Sequence, residues 1–165
     1  DKATSGLLLF ALNRDSAAAL SAQFAEKTMR KTYLALGTHK PAKKQGWVKG
    51  GMVRSRRGTW KLTRDEDNFA VTRFSSQSLK PGLRLFVLQP FTGKTHQLRV
   101  AMKSIGSPIL GDTLYGGDEA EHLFLHAWRL VFDYRGEHFD IRVAPDKTWP
   151  SEIDLSACLG SDESE

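Results

Sequence analysis

The first residue of the chain is an aspartate. Asp1-Lys-Ala-Thr-Ser-Gly-Leu-Leu-Leu-Phe-Ala11 sets a carboxylate, two hydroxyls and a glycine directly ahead of an unbroken apolar run. Such a short run, bounded by turn residues and Asn13, predicts a strand buried on both faces. A carboxylate at the mouth of a rigid element can be aimed into a cleft for acid, base or nucleophilic work; the alternative is a charge that simply meets solvent. Two further side chains have comparable potential. Tyr33 lies in Arg30-Lys-Thr-Tyr-Leu-Ala-Leu-Gly-Thr38, and Arg99 lies in Thr92-Gly-Lys-Thr-His-Gln-Leu-Arg-Val100.

Other chemistries fail on spacing. Thr92-Gly-Lys-Thr95 has Leu88 where a phosphate loop needs its leading glycine. A helix start there could still hold a single phosphate on free backbone N–H groups, or be capped by Thr95. His122 and His126 are four apart in a strand-like segment, which separates them along one face, and no Cys-x-x-Cys or His-Glu-x-x-His occurs, so no metal is expected. Gly-x-Ser-x-Gly is absent, and a zinc deaminase would need cysteine ligands that the single Cys158 cannot supply.

The elements that must position these residues follow from pattern. Ser16 to Lys27 predicts a helix capped by Asp15 or Ser16, with Leu20 and Phe24 on its inner face. In the strand from Arg30 to Thr38, Thr32, Leu34 and Leu36 form the core face. Tyr33, Ala35 and Gly37 face a cleft or a thin second layer. Phe69 to Ser76 and Leu83 to Gln89 read as strands around Pro81-Gly82. A helix from Thr95 or His96 to Ser104 buries Leu98, Ala101, Met102 and Ile105, and turns His96, Arg99 and Lys103 to another side, leaving Arg99 among basic neighbours. Ile109 to Gly117 is a glycine-rich turn. His122 to Val131 and His138 to Val143 alternate as strands about Arg135-Gly136. The class is α+β with a mostly antiparallel sheet.

At 165 residues the chain has enough length for one domain with a substantial core. Lys plus Arg number 24 against 19 acids, and Ser161-Asp-Glu-Ser-Glu165 holds three of those acids in an expected flexible tail over 156–165. The rest is strongly basic, which favours a polyanion. From His39 to Arg64 nine cations occur without an acid: Lys40, Lys43, Lys44, Lys49, Arg54, Arg56, Arg57, Lys61 and Arg64, with Trp47 and Trp60 between them. Cations mixed with aromatics suit phosphates and bases. One cysteine excludes an internal disulfide and points to a reducing, cytoplasmic compartment, and Leu7 to Leu12 is too short to span a membrane. A monomer is the default.

Five stretches in order resemble the RluA-type family of pseudouridine synthases. They are Asp1 to Ala11, Lys31-Thr-Tyr-Leu-Ala-Leu36, Thr92 to Val100, Gly106-Ser-Pro-Ile-Leu-Gly-Asp-Thr-Leu-Tyr-Gly116 and Leu125-His-Ala-Trp-Arg-Leu130. The resemblance covers Asp1 to about Pro150 and implies the pseudouridine synthase fold, a mixed central sheet with flanking helices, over residues 1–155. It implies isomerisation of uridine in ribosomal or transfer RNA to pseudouridine, with RNA as partner and no cofactor. By the same resemblance Asp1 matches the catalytic aspartate, Tyr33 the tyrosine that stacks on the target base, Arg99 the arginine paired with that aspartate, and Leu125 the apolar pocket residue. Lys94, His96, Arg54, Arg56 and Arg57 are expected at the RNA. The family has His-Arg-Leu before the aspartate, where this chain starts, so upstream sequence of the domain is expected to be missing. Lys94 stands where arginine is more common, and Ala101 replaces a frequent histidine. The rival expectation is a catalytically silent RNA-binding module of the same fold.

Overall fold

A computed structural model describes residues 1–8, 14–25 and 28–159. In chain order the elements are β1 (Ser5–Gly6), α1 (Arg14–Ala25), β2 (Arg30–Gly37), β3 (Gly46–Arg54), β4 (Trp60–Thr63), β5 (Phe69–Lys80), β6 (Leu83–Pro90), α2 (Gln97–Ser104), β7 (Leu125–Tyr134) and β8 (Glu137–Arg142). The strands form one sheet in the order β1-β7-β2-β6-β5-β3-β4, with β8 also paired to β7. Every pairing is antiparallel except β1 with β7, which gives the mixed sheet expected of the α+β class. Since β2 occupies one edge of β7, β1 and β8 share the other, at Ser5↔His126 and Arg129↔Arg142 respectively.

Alternation along β2 divides the interior into two layers. Leu34 and Leu36 pack with Leu85, Val87, Phe124, Trp128 and Trp149 on one face. On the other, Ala35 joins Phe74, Phe86, Leu88, Leu125 and the buried stripe of α2, with Tyr33 packed against this cluster. Both faces of β2 are therefore core, and of the two expectations for Tyr33 the cleft holds, since it lines a cavity beside Leu98 of α2. The predicted stripe Leu98, Ala101, Met102 and Ile105 is buried, each larger apolar side chain contributing about 1.5–3 kcal/mol. Between Thr32 and Tyr33 the pairing with β7 shifts register, from Arg129 to Ala127. A bulge of this kind bends the strand and re-aims side chains, here beside Tyr33.

Several boundaries differ from expectation. Leu7 and Leu8 are not part of a strand: Leu7 is half-buried and Leu8 is 75% exposed, and the remainder of the predicted strand lies outside the described residues. Among the described residues Ser5 and Gly6 pair with β7 as a strand, and Leu7 N–H still bonds Ala127 O (3.0 Å). α1 starts at Arg14, before the predicted caps, and Ser16 Oγ lies 2.6 Å from Tyr134 Oη. The side chain of Phe24 and the predicted last turn of that helix at 26–27 are outside the described residues. His122 precedes β7 and is not on a strand. Domain packing continues past residue 155: a 3-10 turn at Ala157–Leu159 buries Cys158 against Trp149, and burial pushes its thiol up to about 11. The acidic residues 161–165 lie outside the described residues.

Candidate active site

The start of α2 is built by one amide. Gln97, 6% exposed, accepts from Thr92 Oγ1 (2.7 Å) and Lys94 N–H (3.0 Å) through Oε1, and donates through Nε2 to Val71 O (3.0 Å) and Thr72 Oγ1 (2.9 Å). Thr92 Oγ1 in turn accepts Val71 N–H (3.0 Å), so the turn before α2 is tied to β5 at both ends. Thr95 is not the cap. His96 takes that position with left-handed φ 56° and no side-chain cap bond. That unusual backbone lets the imidazole swing sideways, toward Arg99 and Tyr115.

Arg99 follows Gln97 by two residues and, besides the basic neighbours, meets two carboxylates. Its Nε donates to Asp112 Oδ2 (3.0 Å) and its Nη2 to Asp112 Oδ1 (2.8 Å), a two-pronged fork, while Nη1 reaches Asp1 Oδ2 (2.9 Å). Nη1 also points at His96 Nε2 (3.3 Å), and the guanidinium carbon stands 5.0 Å from the centre of the Tyr115 ring. His96 Nδ1 lies 2.7 Å from Tyr115 Oη, which accepts Trp60 N–H (2.9 Å). A guanidinium that donates to Nε2 requires the imidazole proton on Nδ1, where it faces Tyr115. Burial and the Arg99 charge together lower the His96 pKa below the ordinary imidazole value. The neutral ring is therefore the form that fits.

Asp112 is held by its surroundings. It is 2% exposed, its carbonyl accepts Gly117 N–H (2.8 Å) and Tyr115 N–H (3.2 Å), and its own N–H bonds Ile109 O (2.9 Å). Gly111 before it has φ +90°, and a Cβ there would lie 2.0 Å from His122 O. Only glycine suits that position.

Asp1 is anchored from its own side. Its Oδ1 accepts Ala3 N–H (3.2 Å) and its carbonyl accepts Thr4 N–H (3.1 Å), a turn that leads directly into β1. Ser5 Oγ lies 2.9 Å from His126 Nδ1, and Leu7 N–H bonds Ala127 O (3.0 Å), so the turn is fastened to β7. One-fifth of the Asp1 side chain stays accessible.

Asp1, Tyr33, Arg99 and Leu125 line a single cavity of about 130 Å³, together with Lys31, Lys94, His96 and Gln97. This volume is well below the ~300–1,000 Å³ of sites for drug-sized ligands, and suits one planar ring. Leu125 also belongs to the core, so the expected apolar wall and a plain packing role coincide in one residue. Burial raises the Tyr33 pKa and lowers that of Lys31. Arg54, Arg56 and Arg57 do not line this cavity. Arg54 ends β3 with its guanidinium carbon 5.7 Å from the Trp60 ring, and Arg56 and Arg57 sit exposed in the 3-10 turn between β3 and β4. His122 and His126 are engaged elsewhere, on Thr148 Oγ1 (2.7 Å) and Val143 O (2.6 Å).

Two site residues escaped the reading from spacing. Asp112 carried one signal: residues 68–111 contain no acid, and it breaks that run within a glycine-rich turn. Lys31 sits two before Tyr33, hence on the same strand face.

This fold is shared with human RNA pseudouridylate synthase domain containing 1, at a TM-score of 0.72 and 27% identity over 96% of this chain and 70% of that one. The sequence model of the family described as RNA pseudouridylate synthase matches residues 1–104. An uncharacterized RNA pseudouridine synthase of Haemophilus influenzae is 54% identical over 149 residues, 89% of this chain and 66% of that protein. Ribosomal large subunit pseudouridine synthase C of Rickettsia bellii is 42% identical over 169 residues, 98% of this chain and 52% of that protein. The chain belongs to the RNA pseudouridylate synthase family, as an RluA-type member. It spans between half and two-thirds of the length of these two curated relatives.

Proposed function

We propose that the protein isomerises uridine in structured RNA, ribosomal or transfer, to pseudouridine. The observation that carries this reading is the 2.9 Å pair of Asp1 with Arg99 at a ring-sized cavity walled by Tyr33 and Leu125. A carboxylate at this place is what either attack at C1′ or proton removal at C2′ requires, and Arg99 fixes its position. The N1–C1′ bond breaks, the uracil turns within the cavity, and C5 bonds C1′. C5 then loses its proton and N1 gains one. The reaction is redox-neutral and adds no group, so its chemistry needs no cofactor.

A base inside a helix cannot reach such a cavity, so the target nucleotide must be everted, and stacking on Tyr33 offsets part of the lost base stacking. Burial raises the Tyr33 pKa, so the phenol stays protonated and relays the C5 proton only by giving up its own O–H proton as it accepts that one. Lys94 and His96 stand at the rim of the site, where Lys94 suits a phosphate flanking the everted base. Arg54, Arg56 and Arg57 contact backbone phosphates further away. The RNA substrate and the lone, buried Cys158 fit a cytoplasmic setting.

The test is tritium release from 5-tritiated uridine in RNA by the whole protein, against Asp1→Asn. Wild type should release tritium and the variant should not, with RNA still bound. Equal release by both overturns the assignment.

A further inference from the structure

Tyr115 is 1% exposed and stands behind the residues that line the cavity, yet it meets Arg99 by two routes. Directly, its ring faces the guanidinium, with Arg99 Cζ 5.0 Å from the ring centre, a cation–π contact. Indirectly, its hydroxyl lies 2.7 Å from His96 Nδ1, and His96 Nε2 lies 3.3 Å from Arg99 Nη1. Nη1 is the nitrogen that reaches Asp1 (2.9 Å). The two rings stand edge to face, at 86° and 5.6 Å between centres.

The hydroxyl is itself held in place. It accepts Trp60 N–H (2.9 Å) at the start of β4, and the ring packs with Met52 of β3, Leu62 of β4 and Val100 of α2. The short turn at Thr113–Tyr115 follows Asp112 directly, so one segment supplies a carboxylate for the edge of Arg99 and a ring for its face. Burial raises the Tyr115 pKa, which keeps the phenol neutral. His96 has no comparable support of its own. Its backbone is left-handed and its side chain makes no cap bond to α2, so its ring nitrogens find their partners in Tyr115 and Arg99. Which nitrogen of an imidazole carries the proton is set by the hydrogen bond that the other ring atom makes.

We propose that Tyr115 is a positioning residue: its hydroxyl holds the His96 proton on Nδ1, so that Nε2 offers Arg99 Nη1 a lone pair and Nη1 stays aimed at Asp1. Without the hydroxyl the proton moves to Nε2, the nitrogen that meets Nη1, and two donors then face each other. Arg99 keeps its fork on Asp112 but draws away from Asp1. Asp112 thus fixes one edge of the guanidinium, and Tyr115 fixes the remaining nitrogen through His96. The effect on turnover rests on the proposed uridine isomerisation; the place of the proton does not.

The test has two readouts on the whole protein. Without RNA, nitrogen-15 NMR of the imidazoles at neutral pH identifies the His96 signals by their loss in His96→Gln. Wild-type His96 should carry its proton on Nδ1, and Tyr115→Phe should carry it on Nε2. With RNA, Tyr115→Phe should lower kcat for tritium release about tenfold at unchanged KM, because a small displacement of Arg99 alters the chemistry and not the docking. In a His96→Gln background the same substitution should cost less than about twofold, since the relay is already cut. A hydroxyl that served packing alone would give equal losses in both backgrounds. Wild-type His96 protonated on Nε2, a proton that stays on Nδ1 in Tyr115→Phe, or equal losses in the two backgrounds overturns the inference. The wild-type spectrum needs no substitution at Tyr115, so that refutation stands even if Tyr115→Phe does not fold. A wild type that releases no tritium overturns the catalytic reading, while a proton that moves in Tyr115→Phe still supports the hold of Tyr115 on His96.

Discussion

Asp112 grips Arg99 by Nε and Nη2, at 3.0 and 2.8 Å, and so leaves Nη1 as the part of the fork that reaches Asp1. An arginine free to rotate could pair with Asp1 through both prongs and bury the carboxylate that the proposed reaction uses. With Asp112 occupying one side, the contact with Asp1 is single, and Asp1 Oδ1 faces the backbone at Ala3. On the proposed reaction, Asp112 acts through Arg99, as a positioning residue.

Asp112→Asn should therefore lower kcat about a hundredfold with little change in KM, because a small misplacement of Arg99 alters the chemistry and not the docking of RNA. Stability should fall as well, by up to about 3–5 kcal/mol, since the variant breaks a buried ion pair. Steady-state kinetics together with denaturant unfolding separates the two effects. A variant with normal kcat would refute the positioning role.

For Tyr33 the ring and the hydroxyl should separate. Tyr33→Phe should keep RNA affinity, because the stacking surface remains, and lose about a hundredfold in turnover with the proton-transfer group. Tyr33→Ala should also weaken binding, by about 1–3 kcal/mol, through lost base stacking. Unchanged turnover in Tyr33→Phe would reduce the residue to a stacking platform.

His96 makes stability pH-dependent. Its folded pKa is lowered, chiefly by burial and then by the Arg99 charge, so the unfolded chain binds its proton more readily. The contribution is fully present above about pH 6.5, the ordinary imidazole value, and is lost as pH falls through the lower folded value. Thermal midpoints should drop on acidification through that window, and His96→Gln should lose that part of the slope. A variant whose pH profile parallels wild type would show that His96 does not carry the effect.

Gly6 fastens the Asp1 turn to β7. Its φ is +98°, and a Cβ would lie 2.2 Å from Ala127 O, a backbone atom that cannot rotate away. Gly6→Ala should cost about 1–3 kcal/mol in strain. Turnover should fall further than stability, because the displaced segment is the one that carries Asp1. Chemical denaturation and tritium release give the two numbers.

Much of this architecture could be read from letters because it is local. The α2 stripe of Leu98, Ala101, Met102 and Ile105 repeats at helical spacing, the hairpins turn at Pro81-Gly82 and Arg135-Gly136, and β2 alternates. Each is set by the geometry of a few consecutive residues. Among the described residues of the first apolar run the strand is shorter than hydrophobicity alone suggests, because a strand requires an edge as well as apolar side chains, and the ladder with β7 is formed by Ser5 and Gly6. The caps at Asp15, Ser16 and Thr95 were misread as well: α1 begins at Arg14, ahead of the first two, and before α2 Gln97 replaces a cap by bridging to β5.

From its order of residues alone the chain specified the strand and helix periods, the basic run and the motifs that resemble its family. Tertiary structure decided who meets whom. That Arg99 is shared between Asp1, 98 positions earlier, and Asp112, 13 later, depends on β1 docking to β7 and on the turn through Gly111. Such contacts follow no sequence period, because the sheet order brings together segments whose separation along the chain is arbitrary.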